Sequence, residues 1–240
     1  MNSYILTYLR EIRKLKRRGL VVPSMLQLAN DYGRWKKWAA PGTSSVQARL
    51  PWMTFSAIRF MEKNLDRTMK AFEYGCGGST VFLCERAGNV VSVEHDKEWF
   101  QILGDKLKGM KLLNWQGKFI EPESTGTDTK SIADPDEYGT DDVKLSKCRF
   151  KNYASSIDEY KDEEFDWVLV DGRSRPSCIK HAIPKVKVSG FLLLDNSDRQ
   201  YYLEKLPLNF QEHFRVVCDD AGPASFMTEF SKTTIWQKVK

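Results

Sequence analysis

Four acids, an asparagine and a run of glycines are the residues of this chain whose types and spacing could do chemistry. The run is Glu73-Tyr74-Gly75-Cys76-Gly77-Gly78-Ser79-Thr80, with three glycines in four positions. It follows a buried-strand pattern (Ala71, Phe72, Tyr74) and leads at once into an apolar helical one from Val81 to Cys84. Strand, glycine turn and helix bring a ligand close to bare backbone, because glycine has no Cβ to hold it off, and the first N–H groups of a helix point at whatever sits there. The spacing places Thr80 where a dinucleotide fingerprint has its third glycine, and Glu73 stands two positions before the first. A carboxylate inside a phosphate cradle would repel the phosphate. It suits a ligand that carries an ammonium or a sulfonium.

The other acids close strand patterns. Glu94 ends Asn89–Val93, 19 residues past Gly75. In a βαβ unit that offset puts an acid at the tip of the neighbouring strand, where it can accept two hydrogen bonds from a ribose diol. Asp171 closes the run Phe165–Val170, and Asp195-Asn196 closes Gly190–Leu194. Ligands of open α/β sheets lie beyond the carboxyl ends of the strands, so Glu73, Glu94, Asp171, Asp195 and Asn196 are expected to rim one crevice. Asp171 and His181 are the candidate general bases for a hydroxyl. Arg173, Arg175 and Arg199 suit an anionic acceptor such as a uronic acid or a phosphate, or else pair with surface acids.

This constellation resembles the class I S-adenosylmethionine-dependent methyltransferases, whose first motif runs E/D-x-G-x-G-x-G. Glu73, Gly75 and Gly77 match it, and Ser79 stands at the third glycine. The resemblance covers roughly residues 50–240. It implies a Rossmann-like α/β fold, a seven-strand doubly wound sheet with a C-terminal antiparallel hairpin and a helical N-terminal extension. It also implies S-adenosyl-L-methionine as cofactor, held by Glu73, Gly75, Gly77, Ser79, Thr80, Glu94, His95 and Asp171, with Glu94 on the ribose hydroxyls and His95 on the adenine side.

Asp171 with Asp195-Asn196 is similar, more specifically, to the acids that hold magnesium in catechol-type O-methyltransferases. That likeness implies Mg²⁺ on Asp171, Asp195 and Asn196. Hard oxygen ligands suit that ion, which would lower the pKa of an acceptor hydroxyl. Gly172-Arg173-Ser174-Arg175 replaces the lysine-bearing loop of those enzymes. The stretch Phe165–Tyr202 also resembles uncharacterised bacterial methyltransferases of surface-glycan pathways, which implies O-methylation of a sugar or other small hydroxylated acceptor. RNA or protein methylation, and a non-catalytic scaffold that keeps the cofactor fold, are the alternatives.

The elements that must position these groups fit one domain with an appendage. The chain has 240 residues, 41% hydrophobic and 29% charged, which suits a large α/β core. We divide it into a helical basic extension, 1–50, and a methyltransferase domain, 51–240. Residues 1–40 carry a net charge of +7 and the remaining 200 a net −2. The catalytic part therefore lacks the broad basic face of a nucleic-acid binder. Residues 2–18 read as an amphipathic helix with Tyr4, Ile5, Tyr8, Leu9, Ile12 and Leu15 on one stripe and Arg10, Arg13, Lys14 and Arg17 off it. The stripe would pack on the catalytic part or on another subunit, leaving a homo-oligomer open. The alternative is peripheral contact with an anionic membrane surface or an acidic partner.

No apolar run reaches 18 residues, so no transmembrane segment is expected. Arg10, Glu11, Arg13 and Lys14 interrupt any apolar start, so no signal peptide is expected either. The five cysteines have no CxxC spacing and point to a reducing, cytoplasmic setting. Between these landmarks we expect a linker at 41–45, a helix from Pro51, a weak third strand at 111–115 and a solvated, mobile loop or lid at 118–150 that shapes the acceptor pocket. A helix to about Val186 and two closing strands, 214–219 and 233–239, complete the chain.

Overall fold

The computed structural model describes residues 3–40 and 42–240. The expected amphipathic helix runs Ser3–Arg17 (α1), and Asn2 and Pro41, which fell within the expected helix and linker, lie outside the described residues. A second helix, Met25–Trp38 (α2), was not expected. It is capped by Ser24, whose hydroxyl accepts the Gln27 N–H, and it buries Leu28, Asp31 and Trp35 at helical spacing. A short helix, Ser45–Ala48 (α3), precedes Phe55–Asn64 (α4). The latter starts at the Thr54 cap, leaving Pro51 and Trp52 outside the helix, in a bend before it.

The α/β part then alternates: Lys70–Tyr74 (β1), Gly78–Cys84 (α5), Asn89–Glu94 (β2), Lys97–Gly109 (α6) and Trp115–Phe119 (β3). The third strand begins where we expected it to end, because Leu112 still donates to the Leu107 carbonyl and residues 110–112 wrap the end of α6. Glu123–Ser124 (β4) pairs with Cys148–Arg149 (β5), and Lys151–Ser155 (α7) follows. Phe165–Val170 (β6), Arg175–Ala182 (α8) and Val186–Asp195 (β7) come next. The chain closes with Phe210–His213 (α9), Phe214–Cys218 (β8), Ala221–Gly222 (β9) and Ser231–Lys238 (β10).

The main sheet runs β3-β2-β1-β6-β7-β10-β8, with β9 paired to β10. The first five strands of that order are parallel, and β10 is antiparallel to both β7 and β8. This is the doubly wound sheet with a closing antiparallel hairpin expected from the sequence. Strand alternation divides its two faces. Ala71, Trp167, Leu169 and Leu193 join one core cluster, while Phe72, Tyr74, Val168, Val170, Leu192 and Leu194 join the other.

Helices α1 and α2 share the first cluster: Tyr8, Ile12, Leu15, Leu28 and Trp35 pack with Met53, Phe55, Ile58 and Phe230. Trp35, within the aromatic and basic run Arg34–Trp38, is fully buried and its Nε1 donates to the Met227 carbonyl at 3.0 Å. On the outer side of α1, Ile5, Leu6 and Leu9 are exposed beside Arg10, Arg13, Lys14 and Arg17. Among the described residues no helix is long and apolar enough to cross a membrane.

Candidate functional site

A cleft of about 320 Å³ opens at the carboxyl ends of β2, β1 and β6. That volume is within the range of small-molecule sites. Its floor is the turn from β1 into α5. Gly75 there has φ +85°, and a Cβ on it would stand 2.8 Å from Gly172 Cα, so β1 and β6 approach too closely for any side chain. An added Cβ on Gly77, which lines the cleft, would meet nothing within 4 Å. Gly78 carries the α3 segment: its added Cβ would lie 2.3 Å from the Leu50 carbonyl, and Ser45 and Trp52 of that segment form the rim.

Glu94, the last residue of β2, lines the cleft on one side of the turn. Its Oε2 accepts the Cys76 N–H at 3.1 Å, and Oε1 accepts the N–H groups of His95 and Asp96 at 2.7 and 2.9 Å. Burial would raise its pKa, but the His95 side chain and the backbone donors of Asp96 and Cys76 hold it below the ordinary value. Glu94 is therefore a fixed anion at neutral pH. His95 and Trp99 lie beside it, and Trp99 Nε1 fastens the glycine turn by donating to the Cys76 carbonyl at 2.8 Å. On the opposite side stand Asp171, Gly172 and Arg173, just past β6.

Glu73 is not in the cleft. It is the fourth residue of a five-residue strand, and alternation turns it under α5, where it is fully buried. Its Oε2 accepts from Thr80 Oγ1 at 2.6 Å and Ser92 Oγ at 2.8 Å, while Thr80 Oγ1 accepts the Gly77 N–H at 2.9 Å. Glu73 and Thr80 thus brace the turn from beneath. Burial raises the Glu73 pKa to about 7. Of the other expected cofactor residues, Gly75, Gly77, Ser79, Glu94, His95 and Asp171 all line the cleft.

The expected magnesium ligands carry an arginine instead. Arg175 Nη2 bonds Asp171 Oδ1 at 2.9 Å and the Asp171 carbonyl at 3.1 Å, Nη1 donates to the Asp195 carbonyl and to Asn196 Oδ1, and Nε donates to the Gly172 carbonyl. Asp195 is buried and accepts from Thr233 Oγ1 at 2.6 Å. Among the described residues no group of three acids, histidines or cysteines converges as metal ligands. A guanidinium between the carboxyl ends of β6 and β7 leaves no place for a second cation, so the residues do not fit Mg²⁺. Burial pushes the Asp195 and Asp171 carboxyls upward; the Asp171 charge adds to the shift at Asp195, and Arg175 opposes both.

His181, the other expected base, lies away from the cleft. Its Nδ1 is 2.7 Å from Asp158 Oδ2 and its Nε2 is 3.4 Å from Tyr138 OH. The arginines expected to bind an anion are already paired, Arg173 with Asp142 at 3.0 Å, Arg175 with Asp171, and Arg199 with Asp141 at 2.6 Å. The acid-rich insertion at 118–150 is correspondingly tied down rather than free, since Asp134 and Asp136 also pair with Lys205 and Lys180. Ser45, Trp52, Cys76, Gly78, Trp99 and Gly172 also line the cleft and were not expected as site residues. Cys76 was legible from its place inside the glycine run. Ser45 and Trp52 reach the cleft through tertiary contacts that no local spacing encodes.

No protein-family model matches the sequence, and no curated protein matches it. Solved structures do match in fold. A provisionally named methyltransferase from Streptococcus mutans, in complex with S-adenosylhomocysteine, is 15% identical over 76% of this chain and 96% of its own, with a TM-score of 0.53. An rRNA methylase from Streptococcus thermophilus is 13% identical over 77% and 95%, with a TM-score of 0.51. A provisionally named O-methyltransferase from Klebsiella pneumoniae spans 100% of both chains at 11% identity and a TM-score of 0.54. The likeness is one of fold: the chain has the fold of the class I methyltransferases.

Proposed function

We propose, from the class I methyltransferase fold and its acid-sided cleft, that this chain binds S-adenosyl-L-methionine and moves its methyl group to a hydroxyl of a small acceptor. The observation that carries the reading is Glu94. An ionised carboxylate stands at the tip of β2, facing a glycine turn whose Gly77 leaves open space. That arrangement suits a nucleoside: the carboxylate accepts the two ribose hydroxyls, and the bare turn admits the chain beyond the ribose. His95 and Trp99 offer ring surfaces on the Glu94 side.

When bound, S-adenosylmethionine supplies a methyl carbon on a positive sulfur that keeps the bonding pair as the methyl leaves. The protein's part is to orient and to take a proton. Asp171 lines the cleft across the turn from Glu94, and burial raises its carboxyl towards the pH at which a general base works best. It would accept the proton of the acceptor hydroxyl as that oxygen takes the methyl. Arg175 holds Asp171 in place from behind. Alignment of donor and acceptor supplies most of the remaining rate.

Isothermal titration tests the donor site. Wild type should bind S-adenosylmethionine and S-adenosylhomocysteine, and Glu94→Gln should weaken both by about tenfold to a hundredfold, the worth of one or two charge-assisted hydrogen bonds. No binding by folded wild type, or unchanged binding by the variant, would sink the reading.

A further inference from the structure

We propose that Trp52, backed by Phe226 and Trp38, is the acceptor shelf of this site, a wall on which a flat-faced ring bearing a hydroxyl stacks beside Asp171. The inference rests on the methyl-transfer reading and names its substrate class.

Trp52 lines the cleft yet is 52% exposed, an unusual position for the largest apolar side chain. Its place is set by the hydrogen bonds of the residues that flank it. Phe55 N donates to the Pro223 carbonyl, Ser225 N to the Met53 carbonyl and Ser225 Oγ to the Pro51 carbonyl, and Thr54 bridges Ala224. The segment before α4 and the segment before β10 are thereby zipped together. The ring of Phe226 stands 6.0 Å from that of Trp52 and 5.6 Å from that of Trp38, so three aromatics run from the cleft rim to the end of α2.

Phe226 has φ +61°, in the left-handed region that bulky residues avoid. Such a conformation persists only where its surroundings over-determine it. Here Ser225 on one side is bonded to residues 51 and 53, and the Met227 carbonyl on the other accepts from Trp35. These bonds hold the aromatic backing under Trp52.

Sheet order gives the shelf its role. Glu94 ends β2 and Asp171 follows β6, on either side of β1, while the Phe226 segment leads into β10 beyond β7. Trp52 is thus backed from the Asp171 side. With the ribose on Glu94, the reacting end of the donor and its acceptor fall to that side. An exposed indole lining the same cleft as a carboxylate suits a pyranose or a phenol: the ring face covers the indole and a hydroxyl meets the acid.

The test uses 5-fluorotryptophan-labelled protein saturated with S-adenosylhomocysteine, with the Trp52 fluorine resonance identified by its loss in Trp52→Phe. Methyl pyranosides, simple phenols and linear polyols are titrated in separate arms. We expect one ring class to shift the Trp52 resonance saturably and the polyols to leave it in place. Trp52→Ala should cost that ring compound about tenfold or more in affinity, and affinity for S-adenosylhomocysteine should stay within about twofold. Phe226→Gly, which relaxes the backbone and removes the backing ring, should weaken the ring compound in the same sense. A Trp52 resonance unmoved by every ring compound, equal shifts by polyols, or ring affinity unchanged in Trp52→Ala overturns the shelf. A loss of S-adenosylhomocysteine binding in Trp52→Ala overturns it too, by making Trp52 part of the donor wall. Failure of wild type to bind S-adenosylhomocysteine at all removes the methyl-transfer reading itself, and the shelf with it.

Discussion

The tips of β2 and β7 look alike in sequence, each an apolar strand ending in an acid, and they do opposite things. Glu94 ends β2 between two parallel neighbours, β1 and β3. Neither neighbour doubles back over the tip, β1 turning away into α5 and β3 leaving towards β4, so the tip stays open and the carboxylate faces a cleft. Asp195 ends β7 against an antiparallel partner. β10 arrives from beyond that tip, setting Thr233 opposite Asp195 and letting the Lys232 carbonyl accept the Ser197 N–H at 3.0 Å. The tip is covered, and Arg175 closes what is left. In this chain the tip between two parallel strands keeps its acid open to a ligand, and the tip covered by an antiparallel strand does not.

The largest test of this contrast is Arg175→Met. The variant leaves the buried ends of β6 and β7 without their shared donor. Breaking a buried charge pair from one side costs about 3–5 kcal/mol, so urea unfolding should show a loss of that size. Glu94→Gln should cost less stability and more binding. Added Mg²⁺ should leave the wild-type melting temperature unchanged and EDTA should leave turnover unchanged. A magnesium-dependent rise in melting temperature would break the comparison by making the β7 tip a ligand site after all.

Glu73 sharpens it with a smaller effect. Its carboxyl is held near pKa 7 by burial, against an ordinary value of 4.5. Between those pH values the folded state keeps a proton that the unfolded chain has lost, so the contribution of this group to stability falls as pH rises through the window. Glu73→Gln removes that dependence and can still accept from Thr80 and Ser92. The variant should match wild type below about pH 4.5 and gain on it up to pH 7, by at most about 3 kcal/mol. Denaturation midpoints for the two proteins across that range would check it, and a constant difference would mean that Glu73 is ionised in the fold throughout.

Much of this was legible from the residues. The glycine run, its strand and the spacing to Glu94 lead directly to the observed turn and acid, because both depend on local geometry inside one βαβ unit. The strand alternation that buries Phe72 and Tyr74 also shows which way Glu73 turns, one residue short of the tip, a consequence our reading did not draw. Other features are long-range. Arg175 meets Asn196 across 21 positions and Trp52 is set by Ser225, far along the chain. No spacing rule reaches that distance. The helix Met25–Trp38 was not foreseen either: it ends in a run of aromatics and cations, and its core residue Trp35 is flanked by Arg34 and Lys36.

The smallest effect belongs to His181, the base suggested by residue type alone. Its ring is tied to Asp158 and Tyr138 on the α8 side, and it is not among the residues that line the cleft. A histidine acting as general base contributes a factor of about 100 or more, whereas a partly exposed hydrogen-bonded pair contributes at most about 1 kcal/mol of stability. His181→Asn should therefore leave kcat within about twofold once an acceptor is in hand, and lower the unfolding free energy by no more than about 1 kcal/mol. Asp171→Asn should lose the larger factor with little change in S-adenosylhomocysteine affinity. The opposite ranking, with His181→Asn slow and Asp171→Asn near wild type, would move the chemistry from the β6 tip to α8 and undo the distinction drawn between open and covered strand ends.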